Sequence, residues 1–290
     1  MITDSTVKAS KKQKHSSFIS HTLIRIPLIL YVCTIIIPFS FMVINSFKSS
    51  KEFYNNFWSL PSTLNFENYK NAIDATGIAN MFLNTVFIVA CALVINIAIS
   101  SMIAYVIARM NVRLGDAMYK FFLFGMLTPG IVTLIPLFLI ARTIGLFNTR
   151  IILILVYAGF EVPFAVFVFT SFYKTLPSAL EEAAYIDGAT RYQTFFRVIF
   201  PLSIPGIVTV GVFNFIEYWN DYLIAMTLVV DESKKTVSLG VMKLQAANAV
   251  RTEWGQLFAV CTLVVLPVLL VYIIFQRNLT SGLTAGAVKG

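Results

Sequence analysis

The segment SALEEAAYIDGATRYQTFFRVIFPLSIPG, residues 178–206, sets three acids and two arginines between two long apolar runs. The runs on either side, Ile151–Tyr173 and Leu202–Val230, hold only Glu161 and then Glu217 and Asp221 as charged residues. A helix rises about 1.5 Å per residue, so crossing about 30 Å of hydrocarbon takes roughly 20 apolar residues. Four further windows reach that length: Ile26–Ser46, Met81–Ala108, Phe121–Ala141 and Leu257–Phe275. The six windows predict an all-α integral membrane protein with six transmembrane helices. The alternation over about ten residues that marks a membrane barrel strand is missing.

Composition points the same way. Hydrophobic residues make up 58% of the 290, charged residues 12%, and mean hydropathy is +0.79. A soluble domain is about a quarter charged, so this charge is too sparse to coat a water-facing surface. The net charge of +8 is therefore read as a matter of topology and anionic lipid, not of nucleic acid. Lys8, Lys11, Lys12, Lys14 and Arg25 precede the first window, and Arg109, Arg113 and Lys120 fill the second loop. By the positive-inside rule residues 1–25 are cytoplasmic, and six spans over 26–276 return the tail 277–290 to the same side. Lys234, Lys235, Lys243 and Arg251 then fall outside, diluted by Asp231, Glu232 and Glu253. The first window lacks a small-residue cleavage site and reads as an uncleaved helix. Phe47–Asn80 forms an outer loop whose aromatics suit the headgroup region.

The insert itself carries two capping signals. Pro177 leads into Ser178-Ala-Leu-Glu181, and Thr190-Arg-Tyr-Gln193 follows; both fit the S/T-x-x-E/Q box. Asp187-Gly188 lies between them, and glycine can stop a helix in the left-handed conformation. The prediction is two short capped helices joined at a glycine elbow, on the cytoplasmic side over residues 177–201. Each is too short to persist alone in water and needs a surface to pack on. A cytoplasmic partner and the chain's own bundle or headgroups are both open as that surface.

Glu182-Ala-Ala184, then Gly188, then Val198-Ile-Phe-Pro201 resembles the E-A-A…G…I-x-L-P loop of ATP-binding-cassette importer permeases, with Val and Phe where Ile and Leu are usual. The stretches Ile135–Thr149, Phe213–Met226 and Gly282–Gly290 are similar to the carbohydrate branch of that family, in the expected order. The resemblance runs from about Ile26 to the last residue and is strongest to the smaller, six-helix permease subunit of maltose-type importers. It implies the type I importer permease architecture with cytoplasmic coupling helices, in a bacterial or archaeal cell membrane. It also implies a second permease subunit, two ATPase subunits that bind ATP and magnesium, and an extracytoplasmic sugar-binding protein. On this resemblance Glu181, Glu182, Ala183, Ala184, Asp187 and Gly188 meet the ATPase. The tail, with Gly282, Thr284, Gly286 and Lys289, reaches the interface between the ATPases.

Ionisable groups within spans usually face a cavity or a partner. Glu161, Asn214, Glu217, Trp219, Asn220 and Asp221 are accordingly candidates for the substrate path. Trp219 would stack on a sugar face while Asn220 and Asp221 bond hydroxyls; the alternative is that these groups satisfy one another or the interface. Asn84, Asn96, Ser100 and Ser101 read as interhelical hydrogen-bond partners. Cys33, Cys91 and Cys261 lie one each in three spans, and His15 and His21 are isolated, so no metal or redox spacing exists. With no Walker-type loop and no nucleophile–base pair, the chain is expected to bind no cofactor and catalyse nothing itself. A permease for another solute, or a self-contained ion-coupled carrier or channel using Glu161, Glu217 and Asp221, is the alternative.

Overall fold

A computed structural model describes the backbone of residues 3–248 and 253–287, and the side chains of 25–74, 77–246 and 253–276. The described residues form helices α1 (Thr3–Ser46), α2 (Ser50–Asn55), α3 (Glu67–Thr76), α4 (Ile78–Arg109), α5 (Gly115–Met126), α6 (Leu134–Thr143), α7 (Arg150–Phe160) and α8 (Val162–Tyr173). They continue as α9 (Ala179–Ile186), α10 (Arg191–Thr194), α11 (Phe200–Leu202), α12 (Ile204–Asn220), α13 (Leu223–Leu228), α14 (Val237–Asn248) and α15 (Trp254–Ala287). No β-strand occurs among the described residues. The chain divides into two compact units, residues 1–71 with 252–262, and residues 72–251 with 263–290.

Among the described residues three continuous helices are long and apolar enough to span a membrane: Arg25–Ser46, Ile78–Arg109 and Trp254–Gln276. Two of the other windows are bent and the third is interrupted after Asn220, a correction to the reading of each as one continuous helix. Phe121–Ala141 breaks at residues 127–129, where Pro129 takes an extended conformation and the two arms meet at 92°. Ile151–Tyr173 breaks by 42° at Glu161, because Pro163 has no N–H to give the carbonyl of Gly159 and its ring crowds that turn. In Leu202–Val230 the helix starts at Ile204, after a 70° bend at Ser203 from the preceding segment Arg191–Leu202, and ends at Asn220, with α13 following from Leu223. By length and composition the described residues hold three candidate spans, or up to six if each bent pair is one.

In the first unit the chain after α1 is held by buried polar side chains. Asn68 Nδ2 donates to the carbonyls of Ser46 and Lys48, each at 2.8 Å. The fully buried Lys48 donates to the carbonyls of Asn56 and Phe57. Gly255, in the first turn of α15, leaves no room for a Cβ, which would collide with the Lys48 carbonyl and the Asn68 amide. Further up α1, the described side chains from Arg25 to Ser40 are all exposed within this chain. This stretch is apolar, as a surface that meets lipid would be.

In the second unit α4 is the centre, packed on α5, α7, α8, α12 and α14. Ile88, Val89 and Ala92 meet Ile152, Leu153 and Tyr157 in one buried cluster; Ala104 and Tyr105 meet Phe169, Tyr173 and Phe195 in another. Asn84 Nδ2 donates to the carbonyls of Ser233 and Lys235, and Thr85 Oγ1 accepts from the leading N–H of α14, at Val237. Ser101 Oγ donates to the Ala98 carbonyl of its own helix and also interacts with the Tyr173 hydroxyl on α8, while Ser100 Oγ has no partner among the described residues.

The turn between α6 and α7 fastens the loop after α13. Asn148 adopts a left-handed φ of 61°, and its Oδ1 accepts from the N–H groups of Val230 and Asp231. Lys234 Nζ donates to the Asn148 carbonyl, and Arg150 to that of Ser233. Asp231 accepts from Ser233 N and Oγ and pairs with Lys234, which holds its carboxyl at about 2 against an ordinary 3.8. Because this pKa is depressed, the contribution is complete above the ordinary value and is lost only as pH falls through about 2.

Asn148→Ala should destabilise this unit by roughly 2–3 kcal/mol, since it loses both side-chain bonds and strains the left-handed backbone. Asn148→Gly keeps the backbone at ease and should lose about half as much. Thermal unfolding of the purified variants in detergent checks the order; equal losses would show that the backbone conformation contributes nothing.

Candidate functional site

Two places in the second unit gather the polar groups expected to carry function: a cavity at the helix breaks and the loop between α8 and α12. The cavity has a volume of about 650 Å³. Its walls come from the bend between α5 and α6, from Gly159–Phe164 across the α7–α8 break, and from Phe213, Asn214 and Glu217 on α12. A smaller hollow of about 160 Å³ shares Phe160, Glu161 and Glu217 and adds Tyr157, Tyr218, Asn220 and Asp221. Among the predicted path residues, Glu161, Asn214 and Glu217 thus meet in the main cavity.

The other three have different surroundings. Trp219 is 2% exposed, donates through Nε1 to the Val264 carbonyl, and packs on Phe82 and Phe215; it lines neither cavity. Asp221 accepts from Tyr157 Oη at 2.8 Å and from the N–H groups of Ile224 and Ala225, so it caps α13. Asn220 donates back to the Ile216 carbonyl. The sequence missed Tyr157 and Tyr218, whose rings stack at 5.3 Å beneath the smaller hollow. A tyrosine in an apolar run has no spacing signal that separates it from core.

Behind the cavity lies a buried amide pair. Asn214 Nδ2 donates to Asn96 Oδ1 at 2.9 Å, and Asn96 Nδ2 donates to the Ala158 carbonyl at 2.8 Å, both amides being fully buried. The expected interhelical role of Asn96 is borne out. Its partner carbonyl stands just before the α7–α8 break, where helical bonding is interrupted. One side chain of the straight helix thereby positions both the break that carries Glu161 and the turn of α12 that carries Glu217.

The loop realises most of its sequence signals. Thr190 and Gln193 form the reciprocal capping box. Gly188 takes φ +82°, with Ala189 N–H bonding to the Ala184 carbonyl and Gly188 N–H to the Tyr185 carbonyl, the paired bonds of a Schellman stop. The first capping box is not formed: Ser178 is helical and its side chain caps nothing. Glu181 is drawn inward instead. Its carboxylate pairs with Arg109 Nε at 2.9 Å and accepts from Tyr105 Oη at 2.9 Å, tying α9 to the end of α4. Glu182 and Ala183 are exposed, Ala184 is half-buried, and Tyr185, Ile186, Tyr192 and Phe196 add outward apolar surface.

The tail residues Gly282, Thr284 and Gly286 lie on helical backbone within α15. Their side chains, and Lys289, lie outside the described residues. Among the described residues no group of His, Cys, Asp and Glu could hold a metal ion.

Residues 96–284 match the family described as the binding-protein-dependent transport system inner membrane component. The chain belongs to this family. It is a membrane transport subunit, not an enzyme, and the permease resemblance read from residues 182–201 is borne out. The probable ABC transporter permease protein YurM of Bacillus subtilis is 34% identical over all of this permease and 95% of its own length. The diacetylchitobiose uptake system permease protein NgcG of Streptomyces coelicolor is 36% identical, covering 97% of this permease and 92% of NgcG. In fold, the permease matches a crystal structure of a bacterial ABC transporter involved in the import of the acidic polysaccharide alginate. The TM-score is 0.80 at 22% identity, over 90% of this permease and 97% of that chain.

Removing one partner of the buried ion pair leaves the other charge uncompensated. Arg109→Ala or Glu181→Ala should each cost about 3 kcal/mol, at the lower end of what broken buried pairs cost. The double variant Arg109→Leu with Glu181→Leu should cost clearly less than the sum. Thermal melts of the purified permease would show this; strict additivity would mean that the two groups do not support each other.

Proposed function

We propose that this permease forms half of the translocation path of an ATP-driven carbohydrate importer and couples that path to ATPase subunits. The observation that carries the reading is the join between the loop and α4. The outward face of α9 offers Glu182, Ala183 and Ile186 to a partner, while its inward Glu181 is bonded to α4. The same α4 holds Asn96 behind the cavity. A displacement imposed on α9 therefore reaches the cavity through one unbroken helix.

In this reading a second permease subunit completes the path and covers the exposed apolar helices. Two ATPase subunits bind ATP and magnesium. An extracytoplasmic sugar-binding protein delivers the substrate. Glu182, Ala183, Ala184, Asp187 and Gly188 form the docking face, and Glu181 positions it from behind. The tail 277–290 extends toward the ATPases, and both termini are cytoplasmic. Each bent pair of helices counts as one span, giving six. The sugar specificity of NgcG, whose name assigns it to diacetylchitobiose uptake, supports a carbohydrate as cargo. Glu161, Asn214 and Glu217 line this chain's share of the path.

Glu182→Lys reverses a charge on the docking face. Gly188→Val forces a β-branched residue into the left-handed region. Both variants should insert and pair with the second permease, lose most of the ATPase subunit on purification, and lose binding-protein-dependent sugar uptake by at least about tenfold, as a loss of about 1.4 kcal/mol of docking would give. Normal uptake at equal expression would remove the loop from the mechanism. Copurification of no ATPase with the native chain would instead favour the self-contained carrier.

A further inference from the structure

The main cavity has a chemical bias that its location does not require. Its polar lining is dominated by hydrogen-bond acceptors. Glu161 and Glu217 both present carboxylates to it, and none of the described lining residues is Lys, Arg or His. Asn214 stands behind this wall: its amide is fully buried and its Nδ2 is committed to Asn96. The remaining wall is aromatic: Phe160, with Phe164 and Phe213 edge to face at 5.6 Å. Flat apolar rings beside a row of acceptors complement a pyranose, which offers C–H faces and hydroxyl donors.

We propose that this cavity is a sugar subsite that accepts donor-rich glycans without acidic groups, neutral or bearing an ammonium, and rejects uronic acids. Rejection follows from the same two carboxylates. An anionic sugar would be brought beside like charge with no cation in the wall to offset it, in surroundings where screening by salt is weak. The inference rests on the importer reading above and narrows its substrate class. Glu161 and Glu217 act here as selectivity groups.

The test uses the whole importer, with its ATPases and second permease, in lipid nanodiscs. Cys33, Cys91 and Cys261 are replaced by serine, and Thr133, on the cavity wall, is changed to Cys. Reaction with a cationic and an anionic methanethiosulfonate reagent then reads the local field. The cationic reagent should be favoured on the order of tenfold beyond its intrinsic rate, the effect of a charge roughly 10 Å away at an effective dielectric constant of about 20. The bias should vanish in Glu161→Gln with Glu217→Gln. Diacetylchitobiose and chitobiose at millimolar concentration should slow the labelling, whereas digalacturonate should not. Protection by digalacturonate equal to the others, protection by none of them, or a Thr133→Cys that never labels in any nucleotide state would each overturn the subsite. Binding-protein-dependent uptake of a sugar by the same complex, measured alongside, would leave the importer reading standing in all three cases.

Discussion

A helix that breaks inside hydrocarbon releases N–H and C=O groups that lipid cannot bond, each at a cost of several kcal/mol. Two of the apolar segments here break, at Pro129 and Glu161, and a third is entered through a bend at Ser203. What makes such breaks tolerable is a neighbour that does not break. α4 runs unbroken from Ile78 to Arg109 and sends polar side chains to interruptions in the elements around it. Asn96 takes the carbonyl of Ala158, Thr85 takes the first N–H of α14, and Asn84 takes two loop carbonyls. Remove Asn96 and the broken α7–α8 segment would have to straighten or take up water.

The same arrangement explains why the cavity is where it is. A broken helix cannot pack flush against its neighbours, and the hollow opens at the two breaks nearest each other, flanked by Gly125–Thr133 and Gly159–Phe164. Gly125 belongs to this geometry in a second way: a Cβ there would press on the Pro163 ring at 3.0 Å. The proline that breaks α7 from α8 is thus also the surface on which α5 rests. Polar function and helix interruption share residues because both need backbone that is not fully occupied by its own helix.

Much of this was legible in the chain. The centres of the apolar segments, the Thr190 capping box, the left-handed Gly188 and the interhelical Asn96 all follow from short-range rules, and the structure places them accordingly. The breaks were less visible, although Pro129, Pro163 and Pro205 stand in plain view, because hydropathy averaged over a span does not register one missing N–H. The destiny of Glu181 could not be read locally. Its spacing from Ser178 fits a capping box, but Arg109 and Tyr105, more than 70 positions earlier in the chain, offer a charged partner and a hydroxyl in a dry setting. An ion pair with a hydrogen bond outweighs a cap worth about 1 kcal/mol. Trp219 is a similar case: its polar neighbours Asn220 and Asp221 suggested an open surface, while its own ring turned toward Phe82 and Phe215.

The straightness of α4 also bears on how such a chain can change over time. Its 32 residues extend for about 48 Å at about 1.5 Å each, so the helix outreaches the hydrocarbon layer. Each of its bonds to another element depends on angular phase. Loss or gain of a single residue between Asn96 and Tyr105 would turn everything beyond it by about 100°, detaching either the amide pair or the ties to Glu181. Substitutions along α4 are judged one at a time, but a length change is judged by all its contacts together. Evolution can therefore lengthen the loops around this helix freely and can scarcely alter the helix by one residue, which makes it a fixed ruler against which the distances between membrane and cytoplasmic surfaces are kept.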